Sequence, residues 1–562
     1  MIKDYPITFS WLAERLLAPS QRMHLGMLLL MLMAPPYGGA QMAWPEWTQR
    51  VPGAQGSGVA VFAVASGSDG SVYLGGGFGA SAALGTLDFG TTNLVSFGIR
   101  DAFLAKYDEK GHFQWVSQIG GPGRDYIRDL AVSSDGRCYA VGSFFGECRF
   151  GERTLVAHAA DDVFLAAFSP QGAMEWLVQL GGDLPETGLV VSLDASGNPS
   201  ILVSINATTQ PWPADPVLGY SMAVVRFSKE GQLLGSSTAA GFFPQENAAN
   251  PSSLGIDREG NYYVAGTHWA DVDFGVTRLS KVSWNNSSFL AKYNSRGEAL
   301  WAKHVGTGAD GSFPTLWVDD SPSLLMVSKF HYGDLLIGDR IYSAGFDEQT
   351  AFLASLDLDG DVQWVTRIGG PETPYLWISD LLRHSDSSIY LLAVFRGRLN
   401  VSGELIGDAT DPSTRLLVAK YAEDGSLLET AIVENNHPGQ VHDLLVLPKS
   451  VVWSPSGSLV LAGLFSGSMQ LGTQTLTATQ SKDNIFLTEL ALSPKLGYSR
   501  DSGQLVLDWS DSLTGFYLET ARGLPPAAPW ARVPQQPSLQ NGRLRVSQPA
   551  GAAGGYYRLR RP

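Results

Sequence analysis

Cysteine is almost missing from this chain: there are two in 562 residues, Cys138 and Cys148. So few exclude a disulfide-stapled scaffold, and a structural zinc site wants four closely placed ligands. The pair flanks YAVGSFFGE, which reads as a strand leaving a turn. Two readings stay open, a single disulfide in an oxidising compartment or two unpaired small hydrophobes in a sheet. Basic residues are also short, with 39 Lys and Arg against 54 Asp and Glu, a formal net charge of −15. Such a chain lacks the basic footprint of a nucleic-acid binder and is repelled by anionic membrane surfaces. The 9 histidines are scattered; the closest pair, His437 and His442, has no recognised ligand spacing. HExxH, GxSxG and a P-loop lysine are all absent.

One apolar run stands out near the start, LGMLLLMLMA from Leu25 to Ala34. It is too short to span a bilayer but has the length of a signal-peptide core. Arg15 and Arg22 supply the positive flank, and Gly38 and Ala40 occupy the −3 and −1 positions of a cleavage after Ala40. Residues 1–40 are therefore expected to be a signal peptide, with Met1 or Met23 as the start. The mature chain is expected to be extracytoplasmic (secreted, periplasmic or on the cell surface), monomeric and not inserted in a membrane.

What is abundant is a repeat. The apolar strand and turn DAFLAKYDEKGHFQW, from Asp101, returns from Asp162, Ser221, Ser287, Thr350 and Arg415, with a last copy, DNIFLTELALS, from Asp483. The aligned positions Phe103, Phe164, Ala223, Phe289, Phe352, Leu417 and Phe486 are 61, 59, 66, 63, 65 and 69 residues apart. A second line of the same period, LAVSSDGRCYAVGSF from Leu130, reads as a hairpin around a D-G turn. A third mark is an apolar residue followed by Gly, as in Phe89-Gly90, Phe150-Gly151, Phe274-Gly275, Ile337-Gly338 and Ile406-Gly407. Each mark occurs seven times. Two hairpins per unit of about 63 residues, with no helical period between them, describe the four-stranded blades of a β-propeller. The seventh unit stops short of its outer strand, while an unmatched strand, EWTQRVPG, sits at the mature N-terminus with Trp47 in the slot of Trp115, Trp176, Trp301 and Trp364. Residues 46–51 are therefore expected to pair with 485–490 and close the ring, leaving no open edge.

The D-x-F-L-A-K-Y strand, the turn Gly, the W-x-x-x-x-G-G strand end and the D-G-x-x-Y-x-x-G hairpin resemble the SBBP family of bacterial β-propeller repeats. The resemblance covers roughly residues 46–491 and implies an extracytoplasmic propeller, usually without a known activity. The expected fold class is thus all-β, a seven-bladed propeller over residues 42–491. From Ser493 the repeat ends, and the short strands starting at Gln504, Phe516, Trp530, Arg543 and Gly555 suggest a small immunoglobulin-like or fibronectin-III-like sandwich over 493–562.

Several motifs invite a chemical reading and do not sustain it. GGGFGA, from Gly75, lacks the helix a dinucleotide site needs after its strand, and falls in a slot that repeats as AVGSFF and VAGTHW. Asp357, Asp359 and Asp361 lack the later Glu of a calcium loop. No cofactor, metal or catalytic residue is expected. Loops on one propeller face carry aromatics, Tyr126, Tyr375 and Trp377, with Tyr126 and Trp377 in the same slot of their units, and beside them His268, Trp269, His331 and Tyr332. These are the candidate ligand-binding residues for an extracellular glycan or protein; the competing reading packs them between blades. A binding or adhesion module is expected ahead of a propeller-fold enzyme (a polysaccharide lyase or glycoside hydrolase) or a purely structural envelope protein.

Overall fold

A computed structural model describes residues 44–52, 58–79, 84–182, 186–205, 221–241, 249–282, 286–307, 310–311, 314–331, 333–345, 348–433, 444–445, 450–471, 474–478, 484–491, 497–501, 504–510, 517–521, 531–540, 543–549 and 556–560. The expected signal segment and Tyr332 lie outside them. Every element among the described residues is a strand, and the strands form a β-propeller arrangement.

One repeat unit shows why the sequence takes this form. Gly58–Ser66, Val72–Gly79, Asp101–Tyr107 and Phe113–Gly120 pair antiparallel in that order. The two middle strands, VYLGGGFG and DAFLAKY, are buried at every position. A neighbouring unit covers each of their faces, so they carry continuous apolar runs where a one-faced sheet would alternate. The outermost strand keeps half-exposed positions. Its turn is closed by the Asp108 side chain, which accepts from the backbone N–H of Lys110 and His112 at 2.9 Å each. Gly111 follows with φ of 77°, a left-handed conformation that suits glycine.

Trp47, Trp115, Trp176 and Trp364 each reach the turn of another unit. Their indole N–H groups donate to the carbonyls of Glu109, Pro170, Lys229 and Glu423 at 2.9–3.1 Å. Each ring lies against the turn glycine two residues further on: Gly111, Gly172, Gly231 and Gly425. Where the third unit has Gly235 in place of the Trp, Arg226 takes over. Its guanidinium donates to the carbonyls of Ser295 and Arg296 at 2.7 Å each. The Tyr and Lys of the repeat join the same cluster: the Lys106, Lys292 and Lys420 ammonium groups sit 5.1–5.4 Å from the ring centres of Tyr73, Tyr263 and Tyr390.

The N-terminal strand goes where the repeat requires. Trp44–Pro52 pairs antiparallel with Asn484–Ala491, with Trp47 opposite Glu489 and Val51 opposite Ile485. Val51 then shares one core cluster with Val59 and Leu74 from the first unit and Val460 and Ile485 from the last.

Among the described residues, the apolar-Gly marks fall in small hairpins between the second and third strands of a unit, at or near the turn in Phe89-Gly90, Phe150-Gly151, Phe274-Gly275 and Ile337-Gly338 and at the base in Ile406-Gly407. The hairpins reach back to the outer strand of the preceding unit: Ile119 pairs with Phe150, Ala240 with Asp273 and Ile368 with Val401, and Thr307 bridges Leu336. These bridges fuse neighbours into sheets of eight, six and seven strands. Hydrogen bonding therefore delimits fewer separate blades than the seven repeat units expected.

The C-terminal strands form two small sheets, of four and three strands. Leu507, Trp509, Leu518, Val533 and Val546 make a buried cluster there.

The disulfide reading of the cysteines is corrected. Both thiols are free and buried. The segment between them is a strand, as expected, and it runs on through both cysteines as Cys138–Phe150. Ten residues of extended chain separate the two by on the order of 30 Å, whereas a disulfide needs Cα atoms within about 7 Å. Burial pushes both thiols well above their ordinary range.

Two outcomes follow. Gly111→Ala and Gly90→Ala both place a side chain at positive φ (77° and 84°), but a Cβ on Gly111 meets the Trp47 indole and one on Gly90 meets nothing within 4 Å. Gly90→Ala is expected to cost about 1 kcal/mol and Gly111→Ala about 2 kcal/mol more in urea unfolding; equal losses would refute the Trp47 contact. Thiol titration of the native chain is expected to find no reactive cysteine and, after denaturation without reductant, both.

Candidate functional site at the loop end of the channel

The innermost strand of each unit lines a central cavity of about 480 Å³. Its walls include Val64–Ser66, Asp129, Leu130, Val191–Leu193, Leu254, Trp317, Leu381 and Trp453. The polar groups in this wall are spent on joining neighbours. Asp129 accepts from the Val191 backbone N–H at 2.9 Å, Ser192 donates to the Leu254 carbonyl at 2.9 Å, and Ser66 donates to the Trp453 carbonyl at 2.7 Å. A carboxylate that holds backbone N–H groups fixes strand register and is poorly placed for proton transfer.

The loops leading into the innermost strands are held by buried acids. Asp125 accepts from the backbone N–H of Gly121 at 2.9 Å and of Phe145 at 3.2 Å. Burial pushes its carboxyl up to about 7, against the pull of those hydrogen bonds. Asp101 accepts from the Phe97 backbone N–H at 2.9 Å and from the Gln118 amide at 2.6 Å. Asp162 takes the same slot in the next unit, with His158 at 2.7 Å and Gln179 at 2.6 Å.

One step outside the cavity, the first two units present a cluster of arginines and aromatic rings. The innermost strands bulge there, at Phe62 and at Arg128. The Arg128 guanidinium lies 4.8 Å from the ring centres of both Phe62 and Tyr126. Those two rings meet edge to face at 5.9 Å. Arg100 sits 5.4 Å from the Tyr126 ring, and Arg124 is exposed beside it. The glycines of GGGFGA make room for this arrangement: a Cβ on Gly77 would sit 3.0 Å from the Tyr126 ring, and one on Gly75 2.7 Å from Ile127. Among the described residues no carboxylate lies within ion-pair distance of Arg100, Arg124 or Arg128, and the buried Nε of Arg128 has no acceptor. Burial lowers the Arg128 pKa, since a desolvated charge is disfavoured. Asp161 is the nearest counter-charge by its electrostatic influence, and burial raises its own pKa against the pull of Arg124 and Arg128.

The sequence-expected residues do not all gather here. Tyr126 does. Tyr375 and Trp377 are half-buried against the core cluster of the sixth and last units, with Arg396 5.9 Å from the Tyr375 ring. They pack between units, as the competing reading had it. His268 is 1% exposed and lies in the fourth unit, with Trp269 half-buried beside it and His331 half-buried in the fifth. Asp357 and Asp361, weighed as calcium ligands, serve their turn: Asp357 accepts from the N–H of Asp359 and Asp361 at 3.0 and 2.9 Å, and Asp361 pairs with Lys303 at 2.6 Å. Sequence reasoning missed Arg100 and Arg128. The available signal was that neither belongs to the repeat: Phe62 and Ser379 hold the bulge slot that Arg128 takes.

His268 forms a different kind of site. Its Nδ1–H donates to the Ala270 carbonyl at 2.8 Å, leaving Nε2 to accept from His304 Nε2–H at 2.9 Å. The pair shares one hydrogen, so the two rings cannot both be charged without setting N–H against N–H. Burial pushes both pKa values down, and each ring disfavours charge on its neighbour, while Asp271 pulls His268 the other way. The unfolded chain thus takes up more protons than the folded one as pH falls below about 6.5, and stability is lost. Asp125 and Asp101, raised in the folded state, act in the opposite sense over the acid range. The histidine contribution is therefore read as a difference: urea stability of the native chain is expected to fall relative to His304→Gln from pH 6.5 to 5 and to run parallel above pH 7. Parallel profiles throughout would refute the neutral pair.

No family model matches the chain. An uncharacterized WD repeat-containing protein of Acanthamoeba polyphaga mimivirus is 23% identical over 304 residues, covering 51% of this chain and 19% of that protein, so the chain spans about a fifth of the curated relative it matches. A solved structure of a catalytically inactive virginiamycin B lyase from Staphylococcus aureus with quinupristin is 9% identical over 79% of this chain and 99% of that one, at a TM-score of 0.35. A protein of unknown function from Dyadobacter fermentans is 12% identical over 69% and 99%, at 0.34. At these scores neither bears on what this chain does. The sequence similarity and the recurring sheets together make it a β-propeller repeat protein.

Proposed function

We propose that the chain is an exported, non-catalytic, monomeric propeller of seven blades, of the SBBP type, that binds an extracellular carbohydrate or protein at the loop end of its channel. The observation that carries the reading is the Phe62–Arg128–Tyr126 cluster, where a guanidinium with no carboxylate within ion-pair distance meets two aromatic rings at the end of the channel. Ligand sites on rigid scaffolds favour such positions. The count of seven is supported by the innermost strands, which touch in a cycle from Gly58–Ser66 through Tyr126–Val132, Thr187–Leu193, Ala249–Ile256, Thr315–Trp317, Tyr375–Arg383 and Val451–Trp453 back to the first. Export is supported by the apolar run Leu25–Ala34 and the small residues before the cleavage position. The two C-terminal sheets, over residues 493–562, are read as a small sandwich that spaces or attaches the propeller.

The test is a glycan and protein array probed with the full chain, with Tyr126→Ala at the loop end and Lys110→Gln on an opposite-end turn. Binding is expected to fall about tenfold or more with the first and to be unchanged with the second. Loss only with Lys110→Gln would move the site to the other face. Depolymerisation of a bound polysaccharide by the chain would overturn the non-catalytic assignment.

A further inference from the structure

We propose that the loop-end cluster is an acidic-sugar site, with Arg128 and Arg100 binding the carboxylates of a uronate-containing polysaccharide; this rests on the binding role proposed above. The chain is acid-rich, at −15, and several of its arginines have found acids. Arg137 pairs with Glu175, Arg278 with Asp271, Arg367 with Glu348 and Arg398 with Glu372. Arg128 and Arg100 at the Tyr126 ring, and Arg124 two residues before Tyr126, have no carboxylate within ion-pair distance among the described residues. Arg396 at the Tyr375 ring is likewise without an acid, but Tyr375 packs into a core between units; what sets the loop-end cluster apart is three such arginines together, a local charge that suits an anionic ligand.

The geometry indicates the ligand's charge. Ring faces fix the guanidinium of Arg128 from Phe62 and Tyr126, and Arg100 is held at the same Tyr126 ring. A cation–π contact covers the face of a guanidinium and leaves its N–H edge to donate. That edge fits a planar carboxylate bidentately. The Nε is buried as well as unpaired, so the edge left for a ligand is that of the two terminal nitrogens. A half-buried guanidinium with no acceptor is destabilising until an anion arrives, so affinity is gained at this group. The local acids do not compete. Asp125 and Asp101 are spent on backbone N–H groups, and Asp161 is one charge against three.

The stiffness of the site favours a sugar over an acidic peptide. Both guanidiniums are already ordered by the rings, so the remaining cost of binding is the ordering of the ligand. A uronate holds its carboxylate on a rigid ring, whereas Asp and Glu side chains lose rotamer freedom on binding. Two arginines at one Tyr ring also suit carboxylates carried on successive sugars of one chain.

The experiment is isothermal titration of the full chain with a galacturonate oligomer, against its methyl ester, which keeps the rings and removes the charge, and against a poly-glutamate peptide. The acid oligomer is expected to bind and the ester to bind at least about tenfold more weakly. Arg128→Gln and Arg100→Gln are each expected to weaken the acid oligomer about tenfold, and added salt to weaken it further. Arg128→Gln is expected to melt no lower than the native chain, because it removes an unpaired buried charge; the exposed Arg124→Gln gives a second variant free of folding effects, with a smaller loss. Equal binding of acid and ester, unaltered binding by the arginine variants, tighter binding of poly-glutamate, or no binding of the oligomer would each overturn the acidic-sugar site. Binding of the ester that is lost with Tyr126→Ala would overturn it while leaving the wider binding role in place.

Discussion

The contact on which the ring depends is the one between a tryptophan on the outer strand of one unit and the turn glycine of another. It combines a hydrogen bond from the indole N–H with the close approach of a flat ring to a residue without a side chain. A β-branched or bulky residue in the turn would meet both the ring and the positive φ. The contact recurs at Trp47, which belongs to the far end of the sequence neighbourhood and yet meets Gly111 of the first unit. The closing strand is thereby held twice, by its ladder to Asn484–Ala491 and by this contact. Trp47 also donates to the Glu489 carboxylate at 2.8 Å, which in turn accepts from Ser454 and Ser456 at 2.7 and 2.9 Å. The seam is therefore tied by a chain of polar links as well as by its ladder, across strands more than 430 residues apart.

A second constraint acts at the outside. Each four-stranded unit ends on a strand whose outward N–H and C=O groups would invite another chain. The hairpins reaching back from the following unit take up part of that edge. Their cost is a clean separation of blades: hydrogen bonding runs from one unit into the next. Their strands also leave apolar side chains in solvent, such as Val156, Leu336 and Leu405. Single exposed residues of this kind are ordinary on a soluble surface.

What could be read from sequence was the period, the strand content and the displaced strand, because these repeat. Trp115 and Gly111 were visible as marks of one unit, but their contacts run between units, and a one-dimensional pattern does not say which copy touches which. The apolar-Gly mark was visible as a regularity without a role, since its partner lies on an outer strand some 30 residues earlier, as for Ile119 and Phe150. The pairing of the cysteines stayed open in the sequence because the length of the strand after the D-G turn could not be read from it; the strand runs through both and holds them apart. The candidate site was half legible. Tyr126 stood out as an aromatic in the loop after the outer strand, in the slot that Trp377 takes in its own unit. Arg128 did not, because a lone arginine in an acidic chain reads as a solvated surface charge, and only its position between two rings at a strand bulge gives it another meaning.

The acids and bases of the loop end can be compared by where their hydrogen-bonding capacity is spent. Asp101, Asp125 and Asp162 all turn inward and accept from backbone or amide N–H groups, so their charge is used to fold loops. The arginines of the same loops turn toward rings, which accept no conventional hydrogen bond. The result is a surface in which the acidic majority is structurally occupied and the basic minority is available. Net charge alone argued against any anionic partner; the distribution of partners argues for a small one, bound at a site whose local balance is opposite to that of the chain. Long-range repulsion from a −15 chain is screened within about 8 Å at physiological salt, which is comparable with the size of the cluster. An anion that reaches Arg128 is therefore governed by the guanidinium and its missing acceptor, and little by the charge of the rest of the ring.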